Sequence, residues 1–98
     1  MPKFDRYFCQ FTITGAQNKW SVKDNAPSGQ NPFEFGNLSM VTFQCDSSVH
    51  FNIHENTGSP YPLAANATFA EVVDGGSEIA DVFLTTTGTT VVYFYGRR

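Results

Sequence analysis

Residues 79–95 read Ile79-Ala80-Asp81-Val82-Phe83-Leu84-Thr85-Thr86-Thr87-Gly88-Thr89-Thr90-Val91-Val92-Tyr93-Phe94-Tyr95, and this stretch decides the fold. Its two arms, Ile79 to Leu84 and Val91 to Tyr95, are β-branched and aromatic, and a Thr-rich turn centred on Gly88 joins them, which predicts a β-hairpin. Side chains alternate along a strand, so Val91, Tyr93 and Tyr95 share one face and Val92 and Phe94 the other. Both faces of this arm are apolar. A strand with one wet face alternates apolar with polar, so a strand apolar on both sides needs a second cover, which a partner chain can supply.

Working back through the chain, Tyr7, Cys9, Phe11 and Ile13 alternate with Gln10, Thr12 and Thr14, a strand buried on one side. Phe8 breaks the polar side and, with Phe4, reads either as a contact to another chain or as a satellite of the core. Trp20 and Val22 mark a short strand, and Asp24 to Pro32 is a loop. Phe33 and Phe35 flank Glu34 in a short alternating piece. Val41, Phe43 and Cys45 line one side of the next strand, Asp46-Ser47-Ser48 turns the chain, and Val49, Phe51 and Ile53 then point in while His50, Asn52 and His54 point to solvent. These two strands are predicted to pair as a hairpin. Glu55 to Asn66 is the longest irregular segment, shaped by Pro60 and Pro62. A strand from Ala67 to Val73 and the turn Asp74-Gly75-Gly76-Ser77 lead into the terminal hairpin. Seven or eight short strands at regular spacing, with no helical periodicity, predict an all-β fold: an antiparallel β-sandwich, with the jelly roll as one form of it.

The 98 residues suffice for a single domain, 1–98. Charged residues make up 15%, against roughly 25% in ordinary globular chains. With ten Phe and 15% aromatic content, the chain carries more apolar area than a core of this size needs, which leaves some for interfaces. Charge is segregated. Lys3, Arg6, Lys19 and Lys23 lie early and Arg97 and Arg98 close the sequence, whereas every acidic residue except Asp5 lies between Asp24 and Gly96, where no Lys or Arg occurs. Positive ends on an acidic body suit an arm, residues 1–6, docking on an acidic partner; solubilising charge near the termini accounts for the same residues. A net charge of −3 and the lack of a basic stripe argue against nucleic acid. No apolar run approaches the ~20 residues of a membrane helix, and no signal peptide is recognisable, so a soluble chain without a membrane partner is expected. Cys9 and Cys45 fall on the apolar sides of their strands and read as buried free thiols, with an inter-strand bridge as the alternative.

Candidate chemistry is sparse. His50 and His54 are four apart on an extended strand, about 13 Å at ~3.3 Å per residue, too far to share a zinc ion without a sharp bend. Asp74-Gly75-Gly76-Ser77 with Glu78 lacks the alternating acids of a calcium loop and reads as a turn. Asp81, inside an apolar strand, reads as a gatekeeper against edge-to-edge pairing. No phosphate loop, nucleophile elbow or Cys/His spacing occurs. A non-enzyme without metal or cofactor is expected. Trp20, Tyr61, Phe33 and Phe35 are candidate stacking platforms for sugar rings, which keeps a carbohydrate-binding module open.

The second half resembles small β-sandwich structural proteins of tailed bacteriophages. The features that carry the resemblance are the strand Val49 to His54, a loop ending Pro62-Leu63-Ala64-Ala65, a strand at Phe69, then Ile79 to Leu84, Gly88 and the closing Val91 to Tyr95. Members of that family attach to the virion, often as trimeric decoration or cement proteins on the capsid, or as minor head or tail components. The resemblance implies a homotrimeric virion protein on the capsid surface, made in the host cytoplasm, with the major capsid protein or another virion protein as partner. A tail, fibre or adaptor component fits the same features. Phe4, Arg6, Phe8, Arg97 and Arg98 are the expected docking residues, and Asn56 to Leu63, with Tyr61 and Leu63, the expected outward loop.

Overall fold

A computed structural model describes residues 6–54, 57–73 and 79–98. The proposed arm up to Asp5, including Phe4, and the Asp74 to Glu78 turn lie outside the described residues. Eight strands are present among those described: β1 (Arg6–Ile13), β2 (Gln17–Ser21), β3 (Met40–Cys45), β4 (Val49–Ile53), β5 (Tyr61–Leu63), β6 (Thr68–Val72), β7 (Val82–Thr86) and β8 (Thr90–Arg97). A one-turn helix, α1 (Val22–Asn25), follows β2 where a strand had been expected to continue. Ser21 stops that strand because its hydroxyl accepts from the Asp24 N–H, an N-cap that opens a helical turn.

The strands form two antiparallel four-stranded sheets, ordered β1-β8-β3-β6 and β2-β7-β4-β5. The pairing is nested: first strand with last, second with seventh, third with sixth, fourth with fifth. Such a nested ribbon is then rolled so that β8 meets β3 and β7 meets β4. This is the eight-stranded jelly roll, a sandwich of two Greek keys.

Two expected hairpins do not form. β7 and β8 lie in different sheets, as do β3 and β4, so the Gly88 turn and Asp46-Ser47-Ser48 are corners between layers. Hydrogen bonds hold these corners to other parts of the chain. Thr86 Oγ1 donates to the Gly15 carbonyl (2.9 Å) and Thr89 Oγ1 accepts from the Gly15 N–H (3.1 Å), so the threonines clamp the β7–β8 corner to the β1–β2 corner. Asp46 Oδ1 accepts from the Val91 N–H at 2.9 Å and fastens the β3–β4 corner to the start of β8. The Tyr61-Pro62-Leu63 stretch, expected as loop, is the edge strand β5, a position where a proline's missing N–H costs no ladder bond. Phe33 to Phe35 sits in turns instead of a strand.

The inward sides carry the core: Phe11, Ile13, Val41, Phe43, Cys45, Val49, Phe51, Val82, Leu84, Val92 and Phe94 are all buried. Phe43 joins the layers. It stacks on Phe94 at 5.5 Å within its own sheet and meets Phe51 of the other sheet edge-on at 5.4 Å, pairs worth about 0.5–1.5 kcal/mol each beyond area burial. Gly96 faces inward on β8, and a Cβ there would stand 2.6 Å from Leu38 Cδ1. Leu38 therefore occupies the space that any side chain at 96 would need, and it is held there by the two-way backbone bridge to Ile79.

Asp81 corrects another expectation. It is 7% exposed, and no gatekeeper on a free edge. One carboxylate oxygen accepts from Ser21 Oγ, the other from the backbone N–H of Lys23 at 3.0 Å and of Val82 at 2.7 Å. It ties the α1 turn to the start of β7, and three donors satisfy its burial.

Candidate interaction surface

The outward side of β1-β8-β3-β6 is built by register. Phe8 stands opposite Tyr95, and Tyr95 opposite Thr42; two residues along, Gln10 faces Tyr93 and Tyr93 faces Gln44. On β6, Ala70 and Thr68 complete these rows. One row further toward the chain ends, Arg6 pairs with Arg97, and Arg97 with Met40, followed by Val72. Each residue points out because its strand neighbours, such as Phe11, Phe43 and Phe94, are committed to the core and alternation sends the next side chain the opposite way.

The face is aromatic, amide-rich and without a carboxylate in these rows. Phe8 is 79% exposed, its ring 4.5 Å from that of Tyr95, and Tyr93 is 48% exposed. The rows frame a shallow concavity of about 480 Å³, and Gln30 reaches it from the loop before β3. Gln30 Oε1 accepts from the Gln10 N–H at 2.8 Å, which occupies a donor on the free edge of β1. Four strands about 4.8 Å apart and some six residues long make a patch on the order of 400 Å². That is about half of the ~800 Å² each partner contributes to a standard interface, so docking here needs further contacts beside the face.

The expected docking residues divide. Arg6, Phe8 and Arg97 come together on this face through the β1–β8 pairing. Arg98 lies beyond it, toward Gly36. Tyr61 and Leu63 lie on β5, the edge of the other sheet: Tyr61 is 72% exposed, whereas Leu63 faces inward opposite Val49 and belongs to the core. Sequence patterns missed Gln10, Thr42, Gln44 and Thr68 as parts of the surface, because each reads singly as an ordinary polar position and only the register makes them a face.

Of the sugar-platform candidates, Phe33 is buried edge-on against Phe94 and Trp20 stacks on the core residue Phe11 at 5.5 Å. Phe35 is exposed beside Tyr7. Tyr61 opens onto a second concavity of about 610 Å³, where β4 and β5 face the β6 edge of the opposite sheet. His50 and His54 are exposed as expected. Asn52 is not: it is 8% exposed, because the chain after β4 folds back over it and its Nδ2 donates to the carbonyls of Thr57 (3.3 Å) and Gly58 (3.5 Å).

Cys9 and Cys45 are free thiols. Burial, with Glu34 nearby, raises Cys9 to about 11; burial, with Asp46 nearby, raises Cys45 to about 12. Neither has thiolate character at neutral pH. Among the described residues no three His, Cys, Asp or Glu side chains are placed to share a metal ion, and no helix is long and apolar enough to cross a membrane. The fold and this face define a small jelly-roll domain with one open aromatic sheet face whose rows carry arginines and no carboxylate. No protein-family model, curated protein or solved structure matches the chain.

Proposed function

We propose that this chain is a non-enzymatic virion structural protein that docks on the capsid lattice and cements it. The observation that carries the reading is the bare β1-β8-β3-β6 face, where Phe8 and Tyr93 lie open, with half-buried Tyr95 between them, beside Arg6 and Arg97. Exposed aromatics with depleted charge are the composition of an interface centre, and arginines are favoured there as anchors. Burying this face against shell subunits releases water from the aromatic rows, while Arg6 and Arg97 meet acidic groups of the major capsid protein. The face supplies about half of a standard contact; the rest comes from the arm before β1 and from neighbouring copies in a trimer. The mechanism is passive: each bound copy bridges shell subunits, so separating them must also expose this apolar area.

Co-sedimentation with shells assembled from the major capsid protein of the same virion tests this. The chain should pellet with shells and raise the temperature at which they release subunits, and the double substitution Phe8→Ala, Tyr93→Ala should abolish both effects. Pelleting with isolated tails and not with shells would transfer the protein to the tail reading; pelleting with neither would end the virion reading.

A further inference from the structure

The two sheets end in four edge strands, β1 and β6 on one and β2 and β5 on the other. A bare edge invites another strand, and folded proteins blunt such edges with charge, proline, bulges or a cover. Three of these edges are blunted. Gln30 Oε1 takes the Gln10 N–H on β1. β2 has a register shift between Gln17 and Trp20, with Lys19 at a φ of 54° inside it, and β5 is three residues long with Pro62 at its centre. β6 is five residues in unbroken register with β3, and it carries no Pro, Lys or Arg.

The direction of its backbone groups follows from two hydrogen bonds at the ends of β3. The Val73 N–H donates to the Ser39 carbonyl at 2.8 Å, on the β6 side, and the Asp46 N–H to the Val91 carbonyl at 3.1 Å, on the β8 side. Bonding alternates along an antiparallel strand, so Val41 and Phe43 bond toward β6 and their register partners Glu71 and Phe69 bond back. Thr68, Ala70 and Val72 therefore aim their N–H and C=O groups at the open edge. Their side chains lie exposed on the bare face, while Glu71, the strand's one charge, shares the other side with Phe69.

We propose that β6 pairs antiparallel with β6 of a second copy, about a twofold axis perpendicular to the sheet. Such an axis keeps inner sides together, so it passes through a residue. Centred on Glu71 it would set two carboxylates directly opposite, which is repulsive. Centred on Phe69 it lets only Thr68 and Ala70 exchange bonds. Centred on Ala70 it uses every open group: Ala70 meets Ala70, Thr68 meets the second copy's Val72, and the Glu71 residues fall on a diagonal ~7–8 Å apart. Five residues at ~3.3 Å, on a flank one ~10 Å sheet spacing deep, give a contact on the order of 200 Å² per copy, well under the ~800 Å² of a standard interface, so pairing in solution is weak. The axis sends both bare faces the same way, and a pair offers a shell about 800 Å² where one copy offers about 400 Å². That consequence alone rests on the docking reading, and the junction is separate from the trimer contacts named there.

Sedimentation equilibrium of the full chain, from micromolar to submillimolar concentration, tests the pairing. The mass should climb from 10.9 kDa toward twice that value. Ala70→Pro removes an N–H that β3 does not use, so it should keep the fold and hold the chain at the monomer mass. Ala70→Lys sets two ammonium groups opposite each other at the axis and should do the same; where the proline perturbs the strand, the lysine variant decides. Phe8→Ala should leave the dimer intact. A monomer at every concentration, or an oligomer that survives both Ala70 substitutions, overturns the proposal. No shell is present in this measurement, so it leaves the pelleting test to stand or fall separately.

Discussion

The two sheets treat their outer sides in opposite ways. Outside β2-β7-β4-β5, Ser21, Phe83 and Asn52 share a row, and the chain's own segments close over it. Thr57 and Gly58 receive Asn52 Nδ2, Lys19 Nζ reaches the Gly58 carbonyl at 3.3 Å, and Asp81 straps down the α1 turn. Outside β1-β8-β3-β6 no segment of the described chain lies across the Phe8, Tyr93 and Tyr95 rows; Gln30 reaches only their β1 edge. A chain with few charges and many aromatics has covered one side with its own polar backbone and left the other bare. The difference teaches that exposed apolar area here is placed, since the same fold had the means to cover it.

If the covered side is structural and the bare side is adhesive, substitutions should separate stability from docking. Asp81→Ala should do the greatest damage, lowering stability by about 3 kcal/mol in urea unfolding, because the Lys23 and Val82 N–H groups and the Ser21 hydroxyl lose a charged acceptor. A loss under about 1 kcal/mol would mean that the strap is ornamental. Gly96→Ala, beneath the bare side, should cost about 1–3 kcal/mol by forcing Leu38 aside, read as a lower Tm. Asn52→Ala should cost about 1 kcal/mol, since it removes two long hydrogen bonds and also relieves an unpaired oxygen; hydrogen exchange at Gly58 and Ser59 should accelerate. Tyr93→Ala should change stability by no more than about 0.5 kcal/mol and still weaken shell docking at least tenfold. A large stability loss from Tyr93→Ala, with docking intact, would invert the comparison.

The thiols sharpen it least. With Cys9 near 11 and Cys45 near 12, both should resist a thiol-disulfide reagent at pH 8 and react once the chain is unfolded in urea. Their pKa values rise on folding, so the native state favours the protonated thiols. Any stability from this source is complete below about pH 9 and is lost as pH climbs through 11 to 12.

The sandwich and the buried sides of β1, β3, β4 and β8 were legible because alternation reports directly which side of a strand is wet. The doubly apolar Val91 to Tyr95 run also marked the bare face. Partners were not legible. The Gly88 and Asp46 corners carry the same residues as hairpin turns, and alternation encodes burial without naming the neighbouring strand. Asn52 and Asp81 were misread for a related reason: each is polar in an outward or edge-like position, and what buries it comes from elsewhere in the chain. The second concavity could have been suspected only from Tyr61 and Phe69, whose proximity depends on two sheets meeting at their edges.

The nested pairing fixes an order of events during synthesis. Among the described strands, β4 and β5 are the only sequence neighbours that pair with each other, so they can pair as soon as both have left the ribosome. β1 emerges first, yet its partner β8 begins only at Thr90. At about 5–20 residues per second the interval from Ile13 to Thr90 lasts roughly 4 to 15 s. Throughout it Phe8 and Phe11 lack the strand on which they pair in the folded chain, so the apolar side of β1 stays in water until the last strand is made.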